Sequence, residues 1–123
     1  MRKVKEVMSS PVKTVEPQTT IADLVSFFRV HDIGGTPVVN DQGFPIGLIS
    51  RSDVFEESDS SQKTVEQLMT PFVFEMSPEE DLKKVAQSMV SAKVHRIVIV
   101  DEGKAVGIVT SLDLVADYAA SME

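Results

Sequence analysis

The sequence predicts a mixed α/β (α+β) chain built from two β-α-β-β-α repeats, packed through their sheets with pseudo-two-fold symmetry. Three observations predict this: an internal repeat at a fixed offset, strands written as near-continuous apolar runs, and cap and turn residues that recur at matching places.

The repeat organises the chain. Val7-Met8-Ser9 is answered 61 residues on by Leu68-Met69-Thr70, and Glu16-Pro17 by Ser77-Pro78 at the same offset. Ile21/Leu82, Leu24/Val85, Phe28/Met89 and Ile33/Val94 keep that register, as do Val38-Val39 and Ile99-Val100. One residue is lost after Gln42; Gly47-Leu48-Ile49-Ser50 then meets Gly107-Ile108-Val109-Thr110, and Asp53 meets Asp113. The expected organisation is a first repeat over 1–57, a polar linker over 58–63 and a second repeat over 64–123.

The elements follow from period and punctuation. In the first copy Val12 to Val15 reads as a short strand, and Thr20 caps a helix whose apolar face is Ile21, Leu24, Val25 and Phe28. Gly34-Gly35 is expected to end it. Thr36 to Val39 and Ile46 to Ile49 form a hairpin about Asn40-Asp41-Gln42-Gly43, and a further helix begins after Ser50. The second copy repeats this with Val73 to Met76, Asp81 to Ala92, Ile97 to Val100, Val106 to Val109 and a helix from Ser111. Apolar runs in the strands imply sheets covered on both faces, with helices outside.

Composition narrows the function. Twelve basic against nineteen acidic residues give a net charge of −7, which argues against polynucleotide and anionic membrane partners. There is no cysteine, hence no disulfide or thiolate chemistry, in keeping with a reducing compartment. The opening Met-Arg-Lys-Val-Lys-Glu runs into no long apolar stretch, and no segment approaches the ~20 apolar residues of a span; a soluble, cytoplasmic chain is expected.

The sharpest local motif is Gly47-Leu48-Ile49-Ser50-Arg51-Ser52-Asp53 with its echo Gly107-Ile108-Val109-Thr110-Ser111-Leu112-Asp113. A hydroxyl followed three residues on by a carboxylate at a helix start is the pattern of a capping box. It is equally a place where first-turn N–H groups and the hydroxyl cradle phosphate while the acid accepts ribose hydroxyls. Both readings are open at one site. Location at the carboxyl ends of strands favours a ligand.

These residues resemble the cystathionine-β-synthase-type (CBS) domain, paired as in a Bateman module, from about Val7 to Tyr118. The Met8-Ser9-Ser10-Pro11 and Met69-Thr70-Pro71 openings, the Pro-Val-Val and Ile-Val-Ile-Val strands and the Gly-apolar-apolar-Ser/Thr-x-x-Asp endings carry the resemblance. Val94 to Asp101 is further similar to the γ subunit of AMP-activated protein kinase. That similarity implies phosphate contacts from His95, Arg96 and Thr110 and a ribose contact from Asp113, with Ser111 in the same site. It also implies an adenine slot of Val12, Lys13, Ile33, Gly34 and Pro37 in the cleft between the repeats. A weaker second cleft would hold Val73, Phe74, Val94, Ser50, Arg51, Ser52 and Asp53. There Gly34 and Gly35 stand where His95 and Arg96 stand in the other, so phosphate would depend on the helix N-terminus with Arg51 or Lys93.

No phosphate-binding glycine loop, dinucleotide fingerprint or nucleophile elbow is present, and with only two histidines no metal site is expected. The resemblance implies a non-catalytic regulatory module for AMP, ADP or ATP that requires no cofactor, forms a homodimer and signals to an unidentified effector protein. The alternatives are a ligand-free dimerisation scaffold, in which the motifs serve only as caps, and a module for S-adenosylmethionine, which would suit the Gly34-Gly35 cleft.

Overall fold

The structure, a computed structural model, describes residues 2–55 and 62–122, so most of the expected linker lies outside the described residues. Short apolar runs punctuated by caps give the order 3-10 turn Val4–Glu6, α1 Ile21–His31, β1 Gly35–Val39, β2 Pro45–Ser50 and α2 Arg51–Phe55. Then come α3 Val65–Leu68, β3 Glu75–Met76, α4 Leu82–Ala92, β4 Arg96–Asp101, β5 Lys104–Thr110 and α5 Ser111–Ser121. No helix among the described residues is long and apolar enough to cross a membrane.

The chain divides into two compact units. Unit 1 comprises Met1–Val12 and Phe74–Glu123; unit 2 comprises Lys13–Val73. These are not the sequence repeats, because each repeat gives its opening segment to the unit that contains the rest of the other.

In unit 2, β1 and β2 form an antiparallel hairpin, and Val15 joins β1 through a single parallel bridge to Val38. On the other side Leu48 and Thr70 exchange both main-chain bonds, at 3.0 and 2.9 Å. In unit 1 the order is β3-β4-β5, with β3 parallel to β4, and Ser9 exchanges bonds of 2.9 and 3.2 Å with Ile108. Both hairpins shift register at the same place, Val38/Val39 and Ile99/Val100. The expected strand from Val12 to Val15 is therefore only a bridge at Val15, held by Val15 N–H to Pro37 O (3.1 Å) and Val39 N–H to Val15 O (3.0 Å). One alternation of side chains is too little to sustain a ladder.

Docking of the opening segments follows the same rule twice. Val4 N–H donates to Glu80 O (2.9 Å) and Lys5 N–H to Pro78 O (3.2 Å); in unit 2 Val65 N–H donates to Thr19 O (2.8 Å) and Glu66 N–H to Pro17 O (3.0 Å). Val4 and Val65 are completely buried, each in its own unit's core. Unit 2 packs them with Ile21, Leu24, Phe28, Val38 and Ile49, and unit 1 with Val85, Met89, Ile97, Ile99 and Val109. A methionine then lies over a strand glycine. A Cβ on Gly47 would fall 2.6 Å from Met69 Sδ and 2.6 Å from Thr70 O, and one on Gly107 would fall 2.5 Å from Met8 Sδ. Glycine is what lets the incoming segment pair closely enough to close the sheet.

Helix ends are set locally. Thr20 accepts the Asp23 N–H (3.2 Å) and Asp81 accepts the Lys83 N–H (3.2 Å). Against expectation, Gly34-Gly35 does not end α1. Asp32 does so in the left-handed region (φ 52°), and Lys93 does the same for α4 (φ 58°). Ile33 N–H and Val94 N–H then reach back to Phe28 O and Met89 O, both at 3.1 Å, satisfying carbonyls that the last turn leaves open. Gly35 is instead the first residue of β1, all five of whose residues are buried.

Candidate functional site

Each hairpin delivers its last strand directly into a helix, and the polar motif residues fall at that junction. In unit 1 the final residue of β5, Thr110, caps α5: Thr110 Oγ1 accepts the Asp113 N–H (3.1 Å), and Asp113 Oδ2 accepts the Thr110 N–H (2.8 Å). The capping reading is thus correct here as geometry. The first helical amide, Ser111 N–H, donates to His95 O (2.9 Å), which holds the residue before β4 beside the helix start. Arg96 pairs directly across from Thr110. His95 is exposed, while Arg96, Thr110, Ser111 and Asp113 are half-buried. Unit 1 therefore gathers an imidazole, a guanidinium, two hydroxyls and a carboxylate at one strand-to-helix junction. This set combines donors for an anionic group with an acceptor for a sugar diol.

Unit 2 repeats the main chain with different side chains. Arg51 N–H donates to Gly34 O (3.0 Å), and Gly35 pairs across from Ser50. Ser50 N–H donates to Asp53 Oδ2 (2.9 Å), but here the Ser50 hydroxyl also donates to that carboxylate (3.2 Å) and stands 2.9 Å from Ser52 Oγ. The Arg51 side chain lines a groove of about 380 Å³ with Val25, Phe28 and Arg29 of α1 and with Val54 and Phe55. Arg29 was not anticipated; its place one turn beyond Val25 on α1 was the only sign of it in the sequence.

The remaining expected residues divide between the units. Val12 belongs to unit 1, half-buried; Lys13, Ile33, Gly34 and Pro37 belong to unit 2. Lys13 is exposed, yet its carbonyl accepts the hydroxyl of the buried Thr36 (2.6 Å). Ile33 packs on the unit 2 core, and Pro37 is buried in β1. Val73 closes unit 2, whereas Phe74 and Val94 lie in unit 1. Phe74 lines a shallow groove of about 260 Å³ with Met76, Ser88 and Ile97, its carbonyl accepting the Val98 N–H (2.9 Å); Val94 packs on the core. Among the described residues no cluster of histidines and carboxylates could hold a metal ion.

The CBS domain family matches the chain twice, over residues 4–60 and 65–119. The CBS domain-containing protein YhcV of Bacillus subtilis is 31% identical over 98% of this chain and 89% of its own length. The uncharacterized protein MJ1225 of Methanocaldococcus jannaschii is 33% identical over 91% of this chain. This chain spans 41% of the length of MJ1225 and 23% of the similarly matched inosine-5'-monophosphate dehydrogenase of the same organism. Among solved structures, the CBS domain pair of protein MJ0100, in complex with 5'-methylthioadenosine and S-adenosyl-L-methionine, superposes with a TM-score of 0.90 at 27% identity over 98% of both chains. CBSX2, solved in complex with AMP, shares the fold at a TM-score of 0.90 and 23% identity over the full length of both. With both repeats matched and the whole chain superposing on a solved pair, this chain belongs to the CBS domain family as a tandem pair.

Proposed function

We propose that this pair is a non-catalytic regulatory module that binds an adenine nucleotide, AMP, ADP or ATP, with the Thr110–Asp113 junction as its principal contact. One observation supports the reading: the main-chain bond from Ser111 to His95, with the Arg96/Thr110 pairing, sets an imidazole-bearing and a guanidinium-bearing residue beside those that carry the hydroxyl and carboxylate at the α5 start. Arg96 supplies a planar fork for phosphate, His95 a second donor, and the Leu112 N–H, at the second position of α5, has no intrahelical acceptor to compete for it. Asp113 uses Oδ2 to cap the helix and keeps Oδ1 for ribose hydroxyls. The adenosine compounds in the MJ0100 pair support the adenine part of this reading.

The module works as a homodimer in the cytoplasm and signals through an effector protein. The exposed apolar residues Leu112, Val115 and Tyr118 of α5 and Met122 at its C-cap, each at least 61% exposed, support self-association. A ligand can then act only by binding one arrangement of the module more tightly than another.

A second reading has its own observation: because Thr110 and Asp113 close on each other, the motif is also a complete helix cap, as a ligand-free scaffold would need. Thermal unfolding separates the two. AMP at about 100 times its dissociation constant should stabilise the fold by roughly 2.7 kcal/mol. Asp113→Ala and Arg96→Ala should each remove that gain. If Asp113→Ala only lowers the melting temperature, equally with and without AMP, ADP or ATP, the scaffold reading replaces the sensor.

A further inference from the structure

Unit 2 holds a groove of about 380 Å³ lined by Val25, Phe28, Arg29, Arg51, Val54 and Phe55, and the repeat serves as an internal control for it. At the 61-residue offset before the deletion, and one less after it, these positions are answered in unit 1 by Ala86, Met89, Val90, Ser111, Leu114 and Val115. The apolar positions stay apolar in both copies, as helices packed on a sheet require. The two arginines do not recur. Uncharged residues serve at both places in unit 1, so the fold of a repeat does not need them.

Local forces do not account for the arginine pair either. Arg29 stands in the last turn of α1, where a cation complements the carbonyl end of a helix, but Arg51 is the first residue of α2, the end at which a cation is unfavourable. Both residues are exposed, and neither guanidinium has an ion-pair partner among the described residues. In a chain of net charge −7, one groove thus carries two guanidiniums and no acid among its lining residues. The same groove leaves apolar surface to water: Phe28 is buried and Val54 packs on the unit 2 core, but Phe55 is 84% exposed.

We infer that this groove binds a small organic acid, its carboxylate held by Arg29 and Arg51 and its apolar, aromatic-sized body laid against Val25, Val54 and Phe55. A carboxylate supplies the charge that the walls lack, and its two oxygens match a guanidinium fork. The apolar body withdraws the Phe55 ring from water. Size selects a small molecule over a protein. The volume of about 380 Å³ falls within the range of about 300–1,000 Å³ that such ligands fill, whereas a stable protein interface takes roughly 20–30 residues a side. Binding ties α1 to α2 within unit 2, an input separate from the nucleotide reading and independent of it.

The test is calorimetric titration of the whole chain with 2-naphthoate and with its uncharged counterpart, 2-naphthamide. Wild type should bind naphthoate at one site per chain, and the amide about tenfold more weakly. Arg29→Gln and Arg51→Gln should each weaken naphthoate by about threefold to fivefold and leave the amide unchanged, and the double variant should bind the two probes alike. Val25→Trp, which fills the groove, should weaken both probes. Melting curves establish that each variant is folded before titration. No naphthoate binding to wild type at millimolar concentration, equal affinity for acid and amide, or an acid preference that survives the double substitution overturns the assignment. Naphthoate binding that weakens as protein concentration rises, in step with a dimer seen by sedimentation, also overturns it, because a second copy then covers the groove.

Discussion

At the end of β5 the Thr110 hydroxyl accepts an amide of the helix it caps, while at the end of β2 the Ser50 hydroxyl turns instead to the Asp53 carboxylate and to Ser52. The main chain beneath is the same to within a few tenths of an ångström in its hydrogen bonds, from the docking of the opening segments to the amide at each helix start. The two copies have therefore diverged in the polar side chains at the strand-to-helix junctions and held constant where the main chain closes a sheet. Packing explains the constancy: buried strand positions accept few changes of volume, whereas a polar group at a strand end can be exchanged at little structural cost. Yet the copies differ even in the packed part, and that difference is measurable.

The largest expected effect is at the two glycines. At Gly107 the three nearest atoms all belong to the Met8 side chain, an unbranched thioether that can shift; at Gly47 one of the two closest atoms is the Thr70 carbonyl oxygen, fixed by the bonds Leu48 exchanges with Thr70. Gly47→Ala should destabilise by about 2–3 kcal/mol and Gly107→Ala by about 1 kcal/mol, measured by denaturant unfolding of each variant. Equal costs would show that the methionine, and not the backbone, limits both sites. Combining Gly107→Ala with Met8→Ala then separates the steric conflict from the lost packing, since neighbouring substitutions are not additive.

How the sequence announced this architecture is instructive in its gaps. Apolar recurrence located both hairpins and the helices α1 and α4, because a buried face must repeat with the period of its element. The caps at Thr20 and Thr110 were legible because a hydroxyl there has one local job. Periodicity reports which face is buried but not what buries it, so the exchange of opening segments was invisible, although Val4 and Val65 turn out to be core residues. The single turns Val4–Glu6 and Val65–Leu68 are too short to show a period. Gly34-Gly35 looked like a helix stop because glycine favours the left-handed region, but Asp32 takes that conformation, and the glycines are freed for the start of β1. At the candidate site, the resemblance supplied residues at each junction, but nothing in the sequence placed Arg51 beside Arg29.

A smaller effect should distinguish the two caps. Thr110→Ala removes the acceptor for the Asp113 N–H and should cost about 1–2 kcal/mol of stability. Ser50→Ala leaves the Ser50 N–H to Asp53 bond intact and deletes hydroxyl contacts that solvent can replace, so a cost below about 0.5 kcal/mol is expected. Chemical denaturation of the two variants side by side checks this. A Ser50→Ala cost equal to that of Thr110→Ala would mean that the first copy relies on the same cap after all, and the contrast between the junctions would be confined to their charge.

The smallest difference lies where the opening segments dock. Lys5 Nζ meets Glu79 Oε2 at 2.6 Å in unit 1, while the matching positions in unit 2 are Glu66 and Gln18, where the Glu66 N–H donates to Pro17 O as the Lys5 N–H does to Pro78 O. The hydrogen bond and the charge of Lys5 hold the Glu79 carboxyl below its ordinary range, and the same bond and charge hold the Lys5 ammonium above its own. A lowered carboxylate contributes stability above its unfolded value and loses it as pH falls through the folded value. A raised ammonium contributes below its unfolded value and loses it as pH rises through the folded one. The pair should therefore help unit 1 over a plateau from about pH 5 to about pH 10 and fade outside it. Both side chains are largely exposed, so the gain is small and screened by salt. Lys5→Met should melt slightly below wild type on that plateau, with the gap closing in acid and in 1 M salt. If the gap survives both treatments, the lysine stem is packing against unit 1, and the ion pair adds nothing to the main-chain bonds that dock the opening segment.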